Sequence, residues 1–110
     1  MYDRSVAALE LAIGDDLLRV DDGVLELFRQ SFDRSLRVPI AWVGVEIDEG
    51  KHGSVVLCVG TANPIGPVLY GPSVRVLGNY WPLETTVGDE PRYRAFFGQV
   101  AALAGRSIEP

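Results

Sequence analysis

Cysteine, histidine and lysine each occur once in this 110-residue chain, as Cys58, His52 and Lys51. A lone thiol cannot close an internal disulfide, which fits a reducing, cytoplasmic compartment. One His and one Cys leave no nitrogen-and-sulfur ligand set for a metal, so only oxygen-rich sites remain open. Apolar runs of ~20 residues, the length of a membrane-spanning helix, are missing. Met1-Tyr2-Asp3-Arg4 lacks the basic and apolar blocks of an export signal. Positive charge is scarce too: the net charge is −5. That balance argues against nucleic acid or an anionic membrane surface as partner, because both are bound largely by clustered Lys and Arg neutralising phosphates. Arg29, Arg34 and Arg37 come nearest to a basic patch, but Asp33 interrupts them, and they read as a solvated loop.

Catalytic patterns are also absent. Ser5, Ser31, Ser35, Ser54, Ser73 and Ser107 sit in no Gly-x-Ser-x-Gly context, and no glycine-rich phosphate loop opens a helix. His52 lies in the turn Gly50-Lys51-His52-Gly53, which offers neither an oriented nucleophile nor a protected cleft. Cys58, between Leu57 and Val59, reads as a buried, inert thiol. Asp15-Asp16 and Asp21-Asp22 fall at opposite ends of one strand and read as solvated turn residues. The expectation is a protein that is not an enzyme and uses no cofactor or metal.

What is present is periodicity. Hydrophobic residues make up 47% of the chain, enough for one core and a single domain over residues 1–110. Tyr93, Phe96, Phe97, Val100, Leu103 and Ala104 form one stripe at helical spacing. Asp89 stands at the N-cap of that helix, Pro91 in its first turn, Gly105 at C′, and Arg106 near the negative end of its dipole. Earlier segments alternate as strands. Val6 to Ile13 reads as a strand, with a short helix as the alternative, and Gly14-Asp15-Asp16 as a tight turn. Strands over Leu17–Val20 and Val24–Arg29 flank Asp21-Asp22-Gly23, the clearest hairpin turn. Gln30 to Arg34 is a polar connection. Pro39 splits the run from Ser35 to Asp48 into two extended pieces around residues 39–42, with Trp42 in the core. Glu49 to Gly53 is a turn and Ser54–Val59 a strand. Gly60 to Pro72 reads as a stiff irregular loop, Ser73–Leu77 as a short strand, and Tyr80–Val87 as the last strand, with Tyr80 and Trp81 at core or rim.

Three stretches carry a family resemblance: Asp16-Leu17-Leu18-Arg19-Val20-Asp21-Asp22-Gly23-Val24-Leu25-Glu26-Leu27, then Arg37-Val38-Pro39-Ile40-Ala41-Trp42-Val43-Gly44-Val45-Glu46-Ile47, and the run from Trp81-Pro82-Leu83 through the terminal helix. In these the chain resembles bacterial pleckstrin-homology-like (PH-like) domains, in small proteins of an actinobacterial type. Nine Arg against one Lys, with abundant Ala, Val, Leu and Gly, agree with a GC-rich bacterial genome. The resemblance implies a mainly β fold with one C-terminal α-helix, a partly open barrel of about seven antiparallel strands capped by the helix. It also implies a scaffold for protein contacts. Phosphoinositide-binding members resemble one another in a basic loop between their first two strands, whereas Gly14-Asp15-Asp16 would repel a phosphorylated headgroup.

The expected function is therefore protein–protein contact, with a protein partner or a second copy in a homodimer. The alternative is a small-molecule or lipid carrier using the barrel interior. Candidate contact residues are Ile65, Val68, Leu69 and Tyr70, held in a loop that Pro64, Pro67 and Pro72 stiffen. The competing reading packs Val68, Leu69 and Tyr70 back onto the barrel.

Overall fold

A computed structural model describes residues 9–29 and 34–109. The expected strand start at Val6 and the connection from Gln30 to Asp33 lie outside them. The described residues form nine strands in two sheets and one α-helix, with a short strand after the helix.

The first sheet is an antiparallel meander of β1 (Leu9–Ile13), β2 (Asp16–Asp21), β3 (Val24–Arg29) and β4 (Arg34–Pro39). Asp22 and Gly23 close the β2–β3 hairpin with φ of 52° and 74°, the double positive φ that Asp-Gly accommodates. Alternation sends Leu18, Val20, Leu25, Leu27 and Val38 into the core. The opposite face lines Arg19 up with Glu26 and Arg37, and both arginines pair with that carboxylate, at 3.0 and 3.1 Å. Arg29 pairs with Asp16 at 2.9 Å, lies 5.2 Å from the Trp81 ring centroid and donates to the Pro82 carbonyl. Arg29 and Arg37 are thus strand residues with acidic partners, not members of a solvated basic loop.

The second sheet has the order β8-β6-β5-β7-β9, built from β5 (Val43–Glu49), β6 (Ser54–Thr61), β7 (Val68–Gly71), β8 (Trp81–Thr86) and β9 (Ser107–Ile108). β5, β6 and β8 are antiparallel, whereas β7 runs parallel to β5 and β9 parallel to β7. The supposed irregular loop at 60–72 is therefore corrected: it contains the end of β6 and the whole of β7. The supposed strand at Ser73–Leu77 reduces to a single bridge between Ala62 and Val76.

Residues 72–80 cross the outer face of this sheet as a strap. Glu46 Oε1 accepts the Val76 N–H at 3.2 Å, and Leu77 N–H donates to the Thr61 carbonyl. Glycine makes room beneath at Gly60, where a Cβ would stand 3.2 Å from Tyr80 Cβ, and Gly44 likewise lets Ala62 approach, a Cβ there standing 2.8 Å from Ala62 Cβ.

The helix α1 (Glu90–Leu103) buries Tyr93, Phe96, Phe97, Val100 and Ala101. Phe97 stacks on Tyr70 at 5.6 Å and meets Phe96 edge-on at 5.3 Å. Its end is a Schellman turn: Gly105, with φ +68°, donates to the Ala102 carbonyl, and Arg106 N–H to that of Ala101. Asp89 occupies the N-cap position but makes no side-chain cap hydrogen bond. Leu103 is exposed, since the buried stripe drifts toward Ala101 over the last turns. No helix among the described residues is long and apolar enough to cross a membrane.

Candidate functional site

Leu69 and Tyr70 are wholly buried, Val68 is half-buried, and of the four candidate contact residues only Ile65 is exposed. Burial follows from β7, whose central position between β5 and β9 places both residues inside the protein. The expected contact loop is thus reduced to its first apolar residue. Trp42 is also displaced from expectation: it is 51% exposed, because it closes a turn onto the Pro39 carbonyl while Val43 and Val45 take the inward positions. Trp81 is buried and Tyr80 exposed.

Most of the exposed large apolar side chains gather at one end of the second sheet, with Val87 at the other. Ala62 N–H donates to the Trp42 carbonyl at 2.8 Å, Leu77 N–H to Thr61, and Asn63 N–H to Arg75. Tyr80 lies against Gly60. Arg106 ties two of these segments together, donating from Nε to the Gly66 carbonyl at 3.1 Å and from Nη1 to that of Ile40 at 2.9 Å. Its Nη2 is enclosed without a hydrogen-bond partner among the described residues, and burial lowers the guanidinium pKa. Trp42, Ile65, Leu77 and Tyr80 are thereby held by hydrogen-bonded turns around one rim, with Leu103 in the adjoining last turn of α1. Beside Ile65, a hollow of about 240 Å³ opens between Pro64, Pro67, Val68 and Val74.

The segments that build this end are poor in charge, bordered by Arg75, Arg106 and the Asp21-Asp22-Gly23 turn, whose Gly23 carbonyl accepts the Ile40 N–H. Val38–Val45, Gly53–Val74, Val76–Leu83 and Ala95–Gly105 each contain no Asp, Glu, Lys or Arg. The two cations that punctuate them, Arg75 and Arg106, donate to backbone carbonyls. Those charge-free stretches are visible in the sequence and would have pointed to Trp42, Leu77 and Tyr80, but each stretch read alone is indistinguishable from core.

Cys58 is buried under the strap, with Sγ 3.6 Å from Asp48 Oδ2, and burial followed by the Asp48 and Glu46 carboxylates pushes its thiol up to about 11. That thiol is a poor nucleophile at neutral pH. His52 occupies the β5–β6 turn with φ +57° and is exposed. Asp16 is engaged by Arg29 and Asp21 by Arg19. Comparison with protein-family models, with curated proteins and with solved structures finds no match.

Proposed function

We propose that this protein is a non-catalytic contact module whose uncharged end pairs with the same end of a second copy. The observation that carries the reading is the segregation of charge. A body of net charge −5 repels its own copies, and Trp42, Ile65, Leu77 and Tyr80 offer an apolar surface where few carboxylates face one another. Aromatic and large aliphatic anchors are the residues that dominate association energetics. In a two-fold arrangement the same patch serves both partners, so a charge-poor patch meets a charge-poor patch.

The architecture supporting this role is PH-like in our reading. A four-stranded meander, then β5, β6 and β8, then a helix, follows the seven-strands-and-helix order of that family, with β7 and β9 as additions. The acidic β1–β2 turn, with Asp15 and Asp16, opposes a phosphorylated headgroup. The space between the sheets is filled by Leu18, Leu27, Val59, Trp81 and Phe97, which favours a contact role over a carrier with an internal ligand.

Sedimentation equilibrium of the wild type and of a Trp42→Asp/Ile65→Asp variant tests the proposal. The wild type should dimerise, and the variant should be monomeric with its thermal midpoint unchanged, because both positions are at least half exposed. A wild type that stays monomeric at high micromolar concentration, or a variant that dimerises as tightly, would refute it.

A further inference from the structure

At the end of the sheet opposite the uncharged rim lies a cleft of about 410 Å³, within the size range of small-molecule sites. The far end of the β5–β6 hairpin and the start of α1 build it. Ile47 and Val55 form apolar wall, and Val87, at 64% exposure, adds an apolar side chain for which the core has no use. Glu49, Glu90 and Arg94 supply its charged groups.

Glu90 is held rigidly. Its Oε2 accepts the hydroxyl of Tyr70 and the Nε of Arg94, at 3.2 Å for the latter, while Oε1 accepts no hydrogen bond among the described residues. Tyr70 is wholly buried, so its hydroxyl is a fixed anchor, and burial followed by the Glu90 carboxylate raises its pKa and keeps it a donor. Arg94 is fixed in turn, donating from Nη1 to the Glu109 carbonyl at 3.1 Å and lying 5.7 Å from the Tyr70 ring centroid. The cleft thus has apolar walls, one open carboxylate oxygen in a set position, and two carboxylates against one guanidinium. The acidic field of the whole molecule adds to the local excess of negative charge.

We infer that this cleft binds a small amphipathic amine, with the apolar body against Ile47, Val55 and Val87 and the ammonium donating to Glu90 Oε1. A charge-assisted hydrogen bond from a preorganised acceptor gives orientation, and the apolar walls give affinity. An organic anion of the same shape would meet the acidic excess instead.

The test is an amide-resolved NMR titration of the labelled full chain with phenylpropylamine, phenylpropanol and phenylpropanoate. The amine should shift amides of residues 47–55 and 87–94, the alcohol should do so more weakly, and the carboxylate should leave them in place. Glu90→Gln keeps an acceptor for Tyr70 but removes the charge, and should weaken the amine about tenfold. Val87→Trp, at an exposed position, should block the mouth while the rest of the spectrum stays unchanged. The inference is overturned by an amine that produces no shifts at millimolar concentration. Equal binding of the carboxylate, shifts confined to the Trp42 and Ile65 end, or amine binding that survives Val87→Trp would overturn it as well.

Discussion

Among single residues, burial sets what each side chain can do. Leu69 and Tyr70 lie in a proline-rich run, yet both are fully enclosed, so an Asp at either position would bury an unpaired carboxylate and disrupt folding before any contact. Cys58 shows the same control on chemistry. Its thiol is raised from an ordinary 9.0 to about 11, first by burial and then by Asp48 and Glu46. Between those values the unfolded chain has released the proton while the folded chain keeps it, so this group's contribution to stability is present below 9.0 and is lost as pH rises toward 11. Urea midpoints of the wild type and Cys58→Ala at about pH 8 and about pH 10.5 check this: the alkaline loss should be larger in the wild type. Equal losses would show that the raised thiol has no linkage to folding. Nothing in the sequence around Cys58 announced Asp48 as its neighbour, because that partner comes from the adjacent strand.

Strands, turns and helix differ in how far their own residues specify them. α1 and the β2–β3 hairpin follow from local chemistry: a stripe at helical spacing closed by Gly105, and an Asp-Gly pair with two positive φ values. β7 does not. Four residues flanked by Pro67 and Pro72 become a strand only because β5 offers a parallel edge and β9 returns on the other side. The strap of residues 72–80 is likewise a tertiary product, packed on Gly60 through Tyr80, while Gly44 is crowded by Ala62 at the end of β6. Gly44→Ala would set a Cβ 2.9 Å from the Ala62 backbone and should destabilise by about 1–3 kcal/mol in urea unfolding. Gly78→Ala, with nothing within 4 Å of the new methyl, should stay within about 0.5 kcal/mol of the wild type. A tolerated Gly44→Ala would mean that the backbone at Ala62 yields freely.

For the molecule as a whole, the distribution of charge matters more than any single contact. Two bodies of net charge −5 meeting at an uncharged rim lose no cross-interface ion pairs when salt is added, and their long-range repulsion is screened. Self-association should therefore strengthen between about 50 mM and about 500 mM salt, read by sedimentation equilibrium. Weakening by salt would instead indicate an interface of charged pairs. The sequence alone determined the composition of this body: one core, mainly strands, a helix near the end, and no recognisable catalytic pattern. Alternation and helical spacing are local properties, so a linear chain displays them. Which apolar residues are left outside was decided by tertiary structure. Leu69, Tyr70 and Trp81 go inside, whereas Trp42, Ile65, Leu77 and Tyr80 remain at the rim. Exposure depends on what covers a side chain, and here the cover comes from strands, a strap and a helix far along the chain.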